Sequence, residues 1–359
     1  MAARNGEPIP RQMEAVVLHE VDDWSLETVE VPGLTDVENV VCRVRATTIC
    51  GSDPKMFAGK LPWPPEYPFI PGHEWAGEVV AVGEDVHRFE PGDRVFSETH
   101  SGCGFCTQCR RGNYQLCESF GNNEVGHRQI GHTLNGSFAE YVAVPEDLLY
   151  HLDDSISWPA AALIDTNAIA LNCTVRGEID PGDTVAVFGT GIIGLCCVQQ
   201  AQALGADRVI ATGNPRNNEL AASLGADHTV AYDADVVSEI YDLTDGTGVD
   251  VALEAVGVEE SVRQAIEVTR EDGTVSLDGM PTEDYFRLPV ADIVKREIDV
   301  RGCRAHSNLA EASERMVRSG AVELGSLITH EFPLEAFTKA YETFTGGDDL
   351  AVRVALRNG

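Results

Sequence analysis

Two rhythms of apolar and polar residues divide this chain. At 14–19, 26–31, 40–46, 77–82, 94–98 and 138–144, short apolar or alternating runs stand between turn signals such as Pro91-Gly92-Asp93. Strands punctuated in this way predict a mainly antiparallel, barrel-like β domain over residues 1–160. Beyond that the period lengthens. Residues 160–173 read as a helix, followed by strand patterns at 184–188, 208–212, 228–232, 249–254, 273–277 and 299–303, with helical patterns at 192–204, 217–224 and 261–269 between them. This alternation predicts an α/β domain with a doubly wound, six-stranded parallel sheet over residues 161–306. Residues 307–359 hold helical patterns at 310–319 and 334–344 and a strand at 351–356. They are too few for a separate core and are expected to return to the first domain.

The first strand of the parallel sheet runs into Gly189-Thr190-Gly191-Ile192-Ile193-Gly194, a Gly-x-Gly-x-x-Gly turn that opens a long apolar helix. Such a turn lets the backbone approach a pyrophosphate, and the helix N-terminus offers it free N–H groups. Alone the motif is weak, because glycine turns between strand and helix are common.

Charge alters the picture. The chain has 58 acidic and 26 basic residues, a formal net charge of −32, and lysine only at positions 55, 60, 295 and 339. The acids are spread through patterned elements, so the excess is not that of a disordered tail. Self-repulsion on this scale destabilises a compact fold in dilute salt, whereas at about 1 M salt the screening length falls to roughly 3 Å. The expectation is a protein of a halophile, adapted to high salt. The same charge argues against nucleic acid or an anionic membrane as partner. Residues 1–10 lack the apolar core of a signal peptide, and no run approaches the ~18 apolar residues of a membrane span, so a cytoplasmic protein is expected.

Four of the ten cysteines fall in one loop, Cys103-x2-Cys106-x2-Cys109-x7-Cys117. Four thiolates so spaced can enclose a tetrahedral zinc, a closed and therefore structural site, with an iron–sulfur cluster as the lesser alternative. A second set is Cys50 in Thr48-Ile49-Cys50-Gly51-Ser52-Asp53, with His73 and Glu74 in Pro71-Gly72-His73-Glu74. Cysteine, histidine and carboxylate suit a catalytic zinc with an open position. Taken singly, Cys50 has a plainer reading as a buried cysteine and His73 as a turn histidine.

The run Gly72-His73-Glu74-x2-Gly77-x5-Gly83-x2-Val86 resembles the zinc-alcohol-dehydrogenase signature of the medium-chain dehydrogenase/reductase superfamily. The Cys50 segment, the four-cysteine loop, the glycine turn and the closing Leu327-Ile328-Thr329-His330 follow in that family's order, from about residue 12 onward. The chain looks nearest the polyol (sorbitol-like) and threonine dehydrogenase branches. The resemblance implies a GroES-like catalytic domain and a Rossmann domain flanking an active-site cleft, with a C-terminal segment that rejoins the first. It implies Cys50 and His73 as ligands of the catalytic zinc, Glu74 as a direct or near ligand, and Asp165 as the further carboxylate at the start of the linking helix. Asp165 departs from the usual glutamate by one methylene, so a bridging water is an alternative to direct ligation. Ser52 matches the hydroxyl that takes the substrate alcohol's proton, and Asp53 is expected to orient its neighbours. Lys55 stands where the family's relay histidine is usual, and no catalytic role is assigned to it.

NAD-binding sheets end their second strand with an acid that binds the ribose 2′-OH. Here the run is Ile210-Ala211-Thr212-Gly213-Asn214-Pro215-Arg216. Without that acid, Gly213 leaves room for a 2′-phosphate that Asn214 and Arg216 can donate to, which predicts NADP over NAD. By resemblance Val256 and Leu277 line the nicotinamide, and Arg304 stands near substrate or cofactor. The expected activity is reversible oxidation of a secondary alcohol, of polyol or sugar type, by a homodimer or homotetramer. The rivals are an amino-alcohol (threonine-like) dehydrogenase, a zinc-free quinone reductase, which both zinc motifs disfavour, and a non-catalytic relative.

Overall fold

The computed structural model describes residues 9–61, 65–346 and 351–358. The chain forms two units, Met1–Asp165 together with Leu324–Gly359, and Thr166–Glu323.

The first unit is built on a seven-stranded sheet. Its strands run in the order Ile328–Pro333, Arg353–Arg357, Val40–Thr48, Glu74–Val82, Arg94–Ser97 and Leu149–His151, and Tyr141–Val144 also pairs with Val40–Thr48. All pairings are antiparallel except that of the two C-terminal strands. Alternation explains the burial: Val40, Cys42 and Val44 share one face and pack on Trp75, Val79, Val95, Val142 and Leu148. A hairpin, Gln12–Glu20 with Asp23–Glu30, lies outside this sheet. Its Val16 and Leu18 join Phe57, Phe69, Phe138, Phe337 and Leu356 in a second core. Phe337 touches Phe57 and Phe138 with ring centroids 6.2 and 5.1 Å apart, so residues far apart in sequence are locked into one aromatic cluster.

The second unit is a parallel sheet in the order His228–Ala231, Arg208–Gly213, Thr184–Phe188, Val249–Glu254, Thr269–Leu277, Asp299–Gly302. This is the 3-2-1-4-5-6 order of a dinucleotide-binding sheet. Val185, Ala186, Val187 and Phe188 are all buried, as a strand covered on both faces requires. Helices Ile192–Leu204, Pro215–Ser223, Val236–Leu243 and Glu259–Val268 cross between strands. The fold class read from the sequence, a GroES-like β domain with a Rossmann sheet, is therefore the fold observed.

Three details differ from expectation. The helix expected at 160–173 is two helices, Trp158–Ala161 and Ile164–Gly177. Helix Val236–Leu243, which buries Val236 and Ile240 one turn apart, was not anticipated among so many acids. Helix Ala310–Arg318 groups with the second unit rather than with the returning segment. Ser313 accepts from buried Asn167 at 2.8 Å, and the Gln199 side chain bonds both the N–H and the carbonyl of Glu323, at 2.6 and 3.0 Å.

Candidate active site and nucleotide turn

The register of one ladder assembles the first group of donors. Strands Val40–Thr48 and Glu74–Val82 pair so that Thr48 faces Glu74. The residues just beyond the pair, Ile49-Cys50 on one side and His73 on the other, therefore come together. Cys50 then enters the short helix Asp53–Phe57, whose Pro54 suits a first turn. Cys50, His73 and Glu74 each offer a ligand atom within 4.8 Å of the others.

Asp53 fixes this geometry. It is fully buried, its Oδ2 accepts the Cys50 N–H at 2.7 Å, and its Oδ1 lies 3.5 Å from His73 Nδ1. The opposite nitrogen, His73 Nε2, stands 3.5 Å from Ser52 Oγ. Burial works against charge on His73, but Cys50 and Asp53 outweigh it and raise its pKa well above the usual value. A buried imidazole held between thiol and carboxylate is a pocket in want of positive charge, and a carboxylate behind a histidine is the usual second shell of a metal ligand. The donor set fits a catalytic zinc.

The two carboxylates expected to complete the set are hydrogen-bonded by protein groups. Glu74 Oε1 accepts from Arg353 at 2.7 Å and its Oε2 from the Thr48 hydroxyl. Asp165 does not join the donor group: its Oδ2 accepts from Thr99 Oγ1 at 2.6 Å and its Oδ1 from the Thr99 N–H at 3.3 Å. Thr99, in the bend after strand Arg94–Ser97, thus holds both carboxylate oxygens.

Arg353 was not foreseen. Buried in strand Arg353–Arg357, it also donates to the Ile49 carbonyl at 3.2 Å and approaches Cys50 Sγ at 3.8 Å. Burial opposes its charge, but Glu74, Cys50 and Asp53 together hold its pKa above the usual value. The available signal was an arginine at an inward position of an otherwise apolar strand. Arg353→Met leaves Glu74 as an uncompensated buried anion, and breaking a buried pair from one side costs about 3–5 kcal/mol. Urea unfolding should show that loss; a change below about 1 kcal/mol contradicts the assignment. His132 is a second unforeseen neighbour, its ring centroid 4.6 Å from that of His73. Burial first and then the charge of His73 lower its pKa to about 3, so it stays neutral.

In the cysteine loop, the Sγ atoms of Cys103, Cys106, Cys109 and Cys117 lie within 4.8 Å of one another, and all ten cysteines are free. Cys103 and Cys109 Sγ are 4.0 Å apart. Zinc–sulfur bonds of about 2.3 Å at tetrahedral angles place sulfurs about 3.8 Å apart, so the loop already has the dimensions of a four-thiolate site. Backbone N–H groups point at the sulfurs: Cys109 to Cys106 at 3.4 Å, Cys103 to Cys117 at 3.5 Å and Ser119 to Cys117 at 3.4 Å. The N–H groups of Cys109 and Glu118 lower the Cys106 pKa, while burial raises those of Cys109 and Cys117, so Cys106 is the thiol most readily deprotonated.

In the second unit the glycine turn follows strand Thr184–Phe188. Gly189 has φ +104°, and a Cβ on Gly194 would lie 1.7 Å from the Gly189 carbonyl oxygen, so both must be glycine. A Cβ at Gly191 meets nothing within 4 Å, so the turn is open over that residue. Ile192 and Ile193 begin the helix, and their N–H groups have no carbonyl within it to donate to. Strand Arg208–Gly213 ends without an acid. A Cβ at Gly213 would lie 2.1 Å from Thr190 Oγ1, so this glycine is dictated by packing against the turn, a nearer reason than room for a phosphate. Asn214 caps helix Pro215–Ser223, accepting from the Arg216 N–H at 3.1 Å, and the Arg216 side chain is exposed. Val256 is exposed beside Gly189, Leu277 ends its strand half-buried, and Arg304 is exposed two residues past Asp299–Gly302.

Residues 36–154 match the alcohol dehydrogenase GroES-like domain and residues 193–319 the zinc-binding dehydrogenase domain. The sorbitol dehydrogenase of Bacillus subtilis (strain 168) is 34% identical over 340 residues, 93% of this chain and 94% of that protein. The L-threonine 3-dehydrogenase of Pyrococcus horikoshii is 34% identical over 323 residues, 86% of this chain and 88% of that protein. Among solved structures, a protein from Sinorhizobium meliloti 1021 described as a zinc-binding dehydrogenase and bound to NADP superposes with a TM-score of 0.89 at 30% identity, over 97% of this chain and 100% of that one. Among the described residues no helix is long and apolar enough to cross a membrane. The donors around His73, the four-thiol loop, the 3-2-1-4-5-6 sheet and identity along nearly the whole chain lead to one conclusion: the chain belongs to the zinc-dependent alcohol dehydrogenase family of the medium-chain dehydrogenases/reductases.

Proposed function

We propose that this enzyme oxidises a secondary alcohol of polyol or sugar type, reversibly, with NADP as the preferred hydride acceptor. The observation that carries the reading is the Cys50–His73–Ser52 group, with a hydroxyl 3.5 Å from the imidazole Nε2. Cys50 and His73 would hold the catalytic zinc, with Glu74 at its edge, and Cys103, Cys106, Cys109 and Cys117 the structural one. When bound there, zinc would supply Lewis acidity toward the substrate oxygen and the nicotinamide a hydride acceptor. Ser52 Oγ receives the alcohol proton and passes it on, while Asp53 fixes the His73 ring and the Cys50 backbone. Lys55 is exposed, and the proton leaves through water rather than through it. Asp165, tied to Thr99, is a positioning carboxylate. Initial rates on polyols, sugars and L-threonine, each with NAD and NADP in molar salt, test the reading. Turnover of threonine alone would favour the amino-alcohol branch.

The NADP preference rests on the second strand, which ends in Gly213-Asn214 and is followed by an exposed arginine. Arg216→Ala is expected to raise the NADP KM about 10- to 100-fold, the worth of a charge-assisted contact, and to leave the NAD KM unchanged. Equal kcat/KM with both cofactors in the wild type contradicts the preference.

We propose further that the enzyme is a homo-oligomer formed through the sheet edge. Asp299–Gly302 is the last strand of its sheet, and Met280, Tyr285, Val290 and Val294 are exposed. A last strand with no further partner among the described residues, and exposed apolar side chains on a chain of such high charge, suit a second copy. Light scattering in molar salt should give a dimer or tetramer, and Tyr285→Asp with Val294→Asp a monomer.

A further inference from the structure

The sheet order fixes where the nicotinamide half of the nucleotide must lie. The glycine turn after Thr184–Phe188 takes the pyrophosphate, and Gly213–Arg216 lies to one side of it. The other half therefore extends over the ends of Val249–Glu254 and Thr269–Leu277. Two acids stand there. Glu254 is wholly buried, and its Oε1 accepts from the N–H groups of Val256 and Gly257, each at 2.8 Å, and from Ser261 Oγ at 2.7 Å. Its Oε2 is equally buried and has no hydrogen-bond partner. The Glu254 carbonyl accepts from the N–H groups of Asp278 and Gly279, at 2.8 and 3.0 Å, and a Cβ on Gly279 would lie 2.7 Å from Oε2. Glu254 thus stitches the two strand-end loops together. Among the described residues the Asp278 carboxyl makes no hydrogen bond or ion pair, and no arginine or lysine pairs with either acid.

We propose that Glu254 and Asp278 set the balance between oxidised and reduced nucleotide at this site, their negative charge favouring the cationic nicotinamide of NADP+ over the neutral ring of NADPH. The proposal rests on the nucleotide reading given above. The two forms differ by one charge at the ring, so an anion nearby in a low-dielectric groove acts on their ratio and not on the phosphates they share. Asp278 makes the effect depend on pH. Burial, then Cys303 and Glu254, raise its pKa to about 8. The other titratable groups facing it are Cys303 beyond the neighbouring strand, Cys197 on helix Ile192–Leu204 and Cys173 on helix Ile164–Gly177. All three thiols have raised pKa values. Asp278 is neutral below about pH 8 and anionic above it, so the preference for NADP+ grows as pH rises.

Dissociation constants for NADPH, from its fluorescence, and for NADP+, by displacement, should be measured at pH 7 and pH 9.5 for the wild type, Asp278→Asn and Glu254→Gln. The ratio Kd(NADP+)/Kd(NADPH) is expected to fall about tenfold between the two pH values in the wild type and to stay level in Asp278→Asn. In Glu254→Gln it should be raised at both. A wild-type ratio independent of pH, or variants that weaken both forms equally, would overturn the proposal and leave the nucleotide site standing. Failure of the wild type to bind either form would overturn both.

Discussion

Cys50→Ser should lower kcat/KM by about 10³-fold or more while NADPH still binds with near wild-type affinity. The argument starts from what the thiolate does. Cys50 and His73 are the two described donors whose ligand atoms are not already committed to a strong protein partner, since Glu74 is held by Arg353 and Thr48 and Asp165 by Thr99. Serine keeps the size of the side chain but offers a neutral hydroxyl, a poor ligand for a borderline-soft ion. Losing Lewis-acid stabilisation of several kcal/mol corresponds to three or more powers of ten at 1.36 kcal/mol each. Nucleotide affinity serves as the control because the glycine turn belongs to the other unit. Zinc content, measured alongside, should fall from two to one per chain, the remaining ion being that of the cysteine loop. Retained turnover at full zinc content would refute Cys50 as a ligand; lost nucleotide binding would mean that the substitution damages more than the metal site.

The contrast between Cys50 and Arg353 shows what the sequence could and could not disclose. Cys50, Ser52 and His73 were legible because each sits in a short local pattern, and one strand register brings those patterns together. The four-cysteine loop was legible for the same reason: its donors span only 103–117. Arg353 is 279 residues from Glu74 and Thr99 is 66 from Asp165, and no local pattern reports a contact at such separations. The apolar runs of the central parallel strands Thr184–Phe188, Arg208–Gly213 and Val249–Glu254 were plain because these strands are buried on both faces. Helix Val236–Leu243 carries an apolar stripe through Val236 and Ile240, but it is only eight residues long and lies between the acidic turns 233–235 and 242–245. Gly213 was recognised as meaningful, but its packing on Thr190 was not visible in a linear reading.

Stability should depend steeply on salt. Acidic residues outnumber basic ones by 58 to 26, and among the described residues the ion pairs draw mainly on arginine. In about 0.1 M salt, charges interact over roughly 10 Å, so each surface acid feels several neighbours of like sign. Unfolding spreads them apart and relieves the repulsion. In molar salt the range is about 3 Å, and most of that incentive to unfold disappears. If screening restores about 5 kcal/mol, and each kcal/mol is worth about 2–4 °C in units of this size, the melting temperature should rise by roughly 10–20 °C between 0.2 and 3 M KCl. The buried pairs give an internal contrast: Arg353–Glu74 is shielded from solvent ions, so the defect caused by Arg353→Met should persist at every salt concentration. Potassium chloride is the salt of choice, because sulfate or phosphate would also strengthen apolar burial and confuse the cause. A wild-type enzyme that keeps its melting temperature and full activity in dilute buffer would show that its acids are not in net repulsion, and the salt-adapted reading would fall with them.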